Sequence, residues 1–187
     1  MPTEQQDVVE LLKAQHNQIR QLIDRVRAAD GAGKREPFED LVRLLAVHES
    51  AEEEVIHPAA RRVYVAEHVV ESRLREEEKA KQALAELHEL GVEHRDFDAK
   101  FDAFATAVID HAEHEEREEF ERLREDASAA ERAGLATAVR MAEATAPTRP
   151  HPGAGSAAPA NILVGPPLAI FDRVRDTVRD WVRKTRG

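Results

Sequence analysis

The sequence contains no cysteine. That excludes disulfide scaffolds, thiolate catalysis, cysteine-ligated iron–sulfur clusters, thiolate-ligated haem and cysteine-based zinc fingers. Aromatic residues make up only 4% of the chain. No apolar run is long enough to span a bilayer, so no transmembrane segment is expected. The opening MPTEQQDVVELLK has neither a basic start nor an apolar stretch behind it. It does not read as a signal peptide, and the expected location is cytoplasmic. An excess of positive charge is also missing. The net charge is −10, which argues against general nucleic-acid binding.

What is abundant is helix-forming. Charged residues reach 34%, and alanine, leucine, glutamate and arginine dominate a chain of 187 residues. Thr3 with Gln6 is a capping box for a first helix, broken near Gly31 and Gly33. Pro37 suits the first turn of a second helix that continues to about residue 62. A third helix is expected over 67–90, ending at Gly91, and a fourth over 97–125. Ser128 with Glu131 forms another capping box, opening a short helix that ends near 145. The expected fold is all-α: an up-down-up-down four-helix bundle over 1–126 with a C-terminal helical extension. Residues 127–145 form the additional short helix and 146–160 a Pro/Gly/Ala-rich linker. Residues 161–187 form a C-terminal amphipathic helix, with Phe171, Val174, Val178 and Trp181 on its apolar stripe.

Each long helix interrupts its apolar stripe with a polar residue. His16 falls between Leu12 and Ile19, His48 and Glu52 between Leu45 and Val55, Glu77 between Leu74 and Ala80, and His111 and Glu115 follow Val108. His48/Glu52 and His111/Glu115 are each spaced i, i+4, on one face and one turn apart. His16 alone would read as an ordinary core histidine. Together the six make three inward imidazoles and three inward carboxylates. Burying unpaired carboxylates is costly, so a cation must be supplied, and this donor set suits iron, manganese or zinc. Two divalent metals, three glutamates and one bridging hydroxide would make a neutral site.

The halves of the chain repeat. A shift of 63 lays His48, Glu52 and Glu53 on His111, Glu115 and Glu116. A shift of 61 lays His16, Ile19, Leu22, Ile23 and Val26 on Glu77, Ala80, Ala83, Leu84 and Leu87. This register prefers Glu77 to Glu78 as the partner of His16, with Glu78 kept open. His57, His68, His88, His94, His114 and His151 lie off the stripes or at helix ends and read as surface residues. Glu49, Glu53, Glu54, Glu113, Glu116, Glu118 and Glu119 read mostly as solvated face, a few of them able to orient ligating imidazoles. Tyr64 lies about 24 Å beyond His48 along a helix, too far to ligate. A ferritin-like di-iron bundle needs Glu-x-x-His on two helices. Only Glu54-Val-Ile-His57 fits that string, and the zinc-protease string H-E-x-x-H fails because position 52 is Glu.

A lone His, an H-x-x-x-E, a third-helix ligand and a second H-x-x-x-E over residues 8–125 resemble the hemerythrin-like (HHE cation-binding) family, in a bacterial, actinobacterial form. The resemblance implies two non-haem iron ions with a bridging oxo or hydroxo group. Glu52 and Glu115 would bridge the irons, with His16, His48 and His111 as terminal ligands. It also implies a small-molecule partner: O2, NO or H2O2. Two departures stand out. Glu77 occupies a position where many relatives carry histidine. The second third-helix position falls near Lys81, which cannot ligate while protonated. A carboxylate-rich shell favours ferric iron, and so favours peroxide or oxygen reduction over reversible oxygen carriage. The alternatives are an iron-handling or sensory module, or a metal-free helical interaction protein. The C-terminal helix is expected to dock on its own bundle or to build a homodimer, in preference to lying on a membrane.

Overall fold

The computed structural model describes residues 7–63 and 67–146. All its described elements are helical. The Thr3/Gln6 box, Tyr64, His151 and the C-terminal amphipathic segment lie outside the described residues, as does the linker beyond Ala146.

Helix α1 spans Val8–Ala28 and is capped by Asp7, whose side chain accepts from the Val9 N–H at 2.9 Å. After a 3-10 turn at Gly31–Lys34, α2 runs Arg35–Ala51 with Pro37 in its first turn. There the helix widens into a π turn, Glu52–Ile56, before continuing as α3, His57–Val63. Helix α4 spans Glu67–Leu90 and stops at Gly91, whose φ of 80° favours glycine. Helix α5 spans Phe97–Glu115, passes through a second π turn, Glu116–Phe120, and ends as α6, Glu121–Asp126. The capping box at Ser128 and Glu131 then opens α7, Ala129–Glu143, as the sequence suggests.

The result is an all-α bundle of four rods, two of them carrying a π turn, with α7 packed on α1, α2 and the first π turn. Its core is split in two. One apolar cluster joins Leu12, Val55, Ile56, Phe120 and Leu123 to Leu135 and Val139 of α7. The other gathers Ile19, Leu45, Leu84, Phe101, Phe104 and Val108. On α1, on the α2–α3 rod and on the α5–α6 rod the break between the clusters falls where the apolar stripe is interrupted. A polar layer therefore crosses the bundle at mid-length, dry on both sides.

Candidate metal centre

That layer brings together all six residues singled out by spacing. Glu52 is 0% exposed and Glu115 1%. His16, His48 and Glu77 are as deeply buried, and His111 keeps only an edge open. Glu77 points inward, whereas Glu78 accepts a hydrogen bond from Gln82 on the outer side.

The donor atoms converge in two overlapping groups. His16, His48, Glu52 and Glu115 offer one ligand atom each within 4.8 Å of one another, as do Glu77, His111 and Glu115. His16 Nε2 lies 3.4 Å from Glu115 Oε2, and His111 Nε2 lies 3.4 Å from Glu115 Oε1. Glu115 thus faces one histidine with each oxygen. His48 Nε2 lies 3.3 Å from Glu52 Oε2.

Each of these three histidines turns Nδ1 outward to an acceptor. His48 Nδ1 meets Gln15 Oε1 at 2.8 Å, and the Gln15 amide nitrogen bonds Glu143 of α7. His16 Nδ1 meets Glu116 Oε1 at 3.0 Å, a carboxylate also held by Arg20. His111 Nδ1 meets Glu76 Oε2 at 3.1 Å, with Arg73 behind it at 2.6 Å. With the hydrogen on Nδ1, Nε2 is left as a lone pair aimed into the layer, the arrangement that presents imidazole to a metal.

Without a cation the layer is electrically frustrated. Burial, joined by Glu115 and Glu77, pushes the Glu52 carboxyl well above its usual range. Burial also raises Glu77, against the pull of His57. Burial would raise Glu115 too, but His111 and His16 outweigh it and hold it well below the carboxylate range. Burial, with neighbouring His16, pushes His48 down to about 3, leaving it neutral. Several inward atoms have no hydrogen-bond partner: His16 Nε2, His111 Nε2, both oxygens of Glu52 and of Glu115, and Glu77 Oε2. Each such buried group costs on the order of 1–3 kcal/mol. Metal cations would satisfy these atoms together, so the residues present fit a metal centre.

Three residues depart from the sequence expectation. His57, expected at the surface, is 1% exposed; Glu119, expected on a solvated face, is 0% exposed. His57 Nε2 lies 2.5 Å from Glu77 Oε1, and its Nδ1 lies 3.5 Å from Glu119 Oε2. The reason is the π turns. His57 lies five residues after Glu52, and its backbone N–H donates to the Glu52 carbonyl, the i to i+5 bond that defines a π turn. In an unbroken α-helix that step would turn His57 away from Glu52. Glu119 carried a simpler signal, four residues beyond Glu115. Glu49, also expected to be solvated, is buried beside Lys81, and burial together with Glu77 lifts its carboxyl to about 8. Lys81 itself pairs with Glu53 and Glu49; these carboxylates outweigh its burial and keep it protonated. His68, His88 and His94 are exposed as expected.

Comparison with known proteins agrees with this geometry. The family model for the hemerythrin HHE cation binding domain matches residues 7–123. No curated protein sequence matches the chain. The fold is similar to the crystal structure of a hemerythrin HHE cation binding domain-containing protein from Mycobacterium kansasii. The TM-score is 0.66 at 20% identity, covering 74% of this chain and 86% of that one. At that identity the likeness speaks for the fold. The family match, spanning more than half of the sequence and ending just past the second π turn, settles the rest: this chain belongs to the hemerythrin HHE cation-binding domain family.

Proposed function

We propose that the polar layer holds two non-haem iron ions and that the protein turns over hydrogen peroxide by disproportionation, one peroxide being reduced to water by the electrons that a second gives up as it is oxidised to dioxygen. The observation that carries the dinuclear reading is Glu115. Its two oxygens face two different histidines, His16 and His111, and it belongs to both donor groups that the six residues form. His16, His48 and Glu52 would hold one ion, Glu77 and His111 the other, with Glu115 shared; the family resemblance would make Glu52 the second bridge. When bound, such a pair supplies two one-electron redox centres side by side. The chain's own residues set the conditions around it. Gln15, Glu116 and Glu76 fix three imidazoles with Nε2 inward. The two apolar clusters exclude bulk water from above and below.

The space left beside the layer favours a very small substrate. A cavity between His16, His48 and His111 is walled by Ile19, Leu45 and Val108. The room open to a molecule's centre is about 10 Å³, enough for roughly one water-sized guest. Dioxygen, nitric oxide and peroxide are of that class; an organic substrate is not. On the far side of His111, a larger groove between α4 and α5, lined by Ala80, Ala83, Phe104 and Ala107, opens to solvent and gives an approach. The carboxylate-rich donor set favours ferric iron, and so favours reduction over reversible oxygen carriage. The test is to add hydrogen peroxide to iron-loaded protein and follow its loss together with oxygen release. Catalytic loss supports the reading. Stable, reversible dioxygen binding with no peroxide turnover would replace it with a carrier.

A further inference from the structure

The internal repeat isolates one pair of buried polar side chains. The shift of 63 lays Ile56 on Glu119 and His57 on Phe120, and the shift of 61 lays His16 on Glu77. The structure realises both correspondences as contacts. The His16 ring stacks on Phe120, centroids 5.4 Å apart and planes at 18°, while Glu77 meets His57 at 2.5 Å. In the first half a histidine is backed by an apolar ring. In the second half a carboxylate is backed by a histidine. The imidazole that symmetry asks of α4 therefore stands on α3.

The inward atoms of His57 and Glu119 approach each other at 3.5 Å but make no hydrogen bond. The bond from His57 Nε2 to Glu77 leaves Nδ1 as the free nitrogen, and that atom has no hydrogen-bond partner. Neither oxygen of Glu119 has one either. A histidine and a carboxylate kept only for packing would have these inner atoms hydrogen-bonded, because leaving them dry without hydrogen bonds is unfavourable. Both are aimed at the layer: His57, Glu115 and Glu119 each offer an atom within 4.8 Å of the others. Charge points the same way. Glu52, Glu77, Glu115 and Glu119 together carry four negative charges, which balance two divalent cations with no added anion.

We infer that His57 and Glu119 are ligands of the second metal position, completing it beside Glu77, His111 and Glu115. This rests on the dinuclear reading above. It gives each position two imidazoles, His16 and His48 for the first, His57 and His111 for the second. It also turns the apparent loss of a third-helix histidine into a relocation to α3.

Anaerobic titration of the full chain with cobalt(II), followed by its visible absorption and by proton NMR, tests this. Wild type should take up two ions and show four strongly shifted exchangeable imidazole N–H signals. His57→Phe and Glu119→Ile install the residues found at the matching positions of the other half. Each should keep the first ion within threefold of its wild-type affinity and weaken the second at least tenfold, with circular dichroism unchanged. His57→Gln, which can still donate to Glu77, should not restore the second ion. Restoration would make His57 a positioning residue only and overturn the assignment. So would two bound ions with only three shifted N–H signals, a result read on wild type and independent of how the variants fold. Fewer than two ions on wild type would instead overturn the dinuclear reading beneath it.

Discussion

Glu115 is the residue on which the proposed centre turns, because it belongs to all three donor groups found among the described residues. Glu52→Ala or Glu115→Ala should abolish binding of both irons, whereas His16→Ala should lose chiefly one; iron analysis after loading checks this, and two irons retained in Glu52→Ala would refute the shared role. The outward acceptors matter next. Glu116→Ala or Glu76→Ala frees the imidazole it orients, and metal affinity should fall by about 10- to 100-fold with the fold unchanged. Unaltered titration curves would mean that the hydrogen bonds from His16 and His111 are incidental. At this scale the sequence was legible wherever α-helical spacing held. His16, His48, Glu52, Glu77, His111 and Glu115 all arrive in the layer. Glu119 was legible too, since it extends the His111, Glu115 series by four, but a run of glutamates around it resembles a solvated face. His57 was not legible, because a five-residue step reads as off-stripe unless the helix is known to widen.

The two π turns occupy nearly equivalent places in the repeat, Glu52–Ile56 and Glu116–Phe120, each at the end of an H-x-x-x-E pair. They share one consequence. The rods resume as α3 and α6 with a changed register, so that His57 in one and Phe120 in the other can close on the layer. Nothing in the composition separates these turns from the α-helix on either side, which is why helix extents could be read from the sequence and these local widenings could not. Helix ends carry clearer chemistry. Glu131 N–H donates to Ser128 Oγ at 3.3 Å, and Ser128 N–H donates to the Glu131 carboxylate at 2.6 Å. Ser128→Ala should therefore destabilise the protein by roughly 1 kcal/mol, read as a shift in urea midpoint, without changing iron content. Helix α7 makes its hydrogen-bonded link to the layer through Glu143 and Gln15 and otherwise packs on it through apolar side chains, so a fall in iron content would reveal closer coupling than these contacts imply.

Over the whole molecule, buried charge and stability are in tension. The polar layer separates two apolar clusters and leaves many polar atoms unpartnered unless a metal binds. Metal binding to the folded form should then add stability by mass action. Removing iron with a chelator should lower the thermal midpoint, and reloading should restore it; equal midpoints would mean that the layer is satisfied without metal. The C-terminal segment, residues 161–187, carries six basic and three acidic residues against a chain total of −10. Truncation after residue 145 should leave iron content intact, since every candidate ligand precedes it, while changing oligomer size or solubility in light scattering. An unchanged mass, together with sedimentation of the full chain on anionic liposomes, would favour a membrane role for that segment. Among the described residues no helix is long and apolar enough to cross a membrane. The most direct measurement of the dinuclear reading is the iron content of the full chain purified from iron-replete cells, taken with its absorption spectrum. Two irons per chain, with near-ultraviolet charge transfer and no haem Soret band, is the predicted result. One iron or none after careful loading, or zinc at full occupancy, would contradict it.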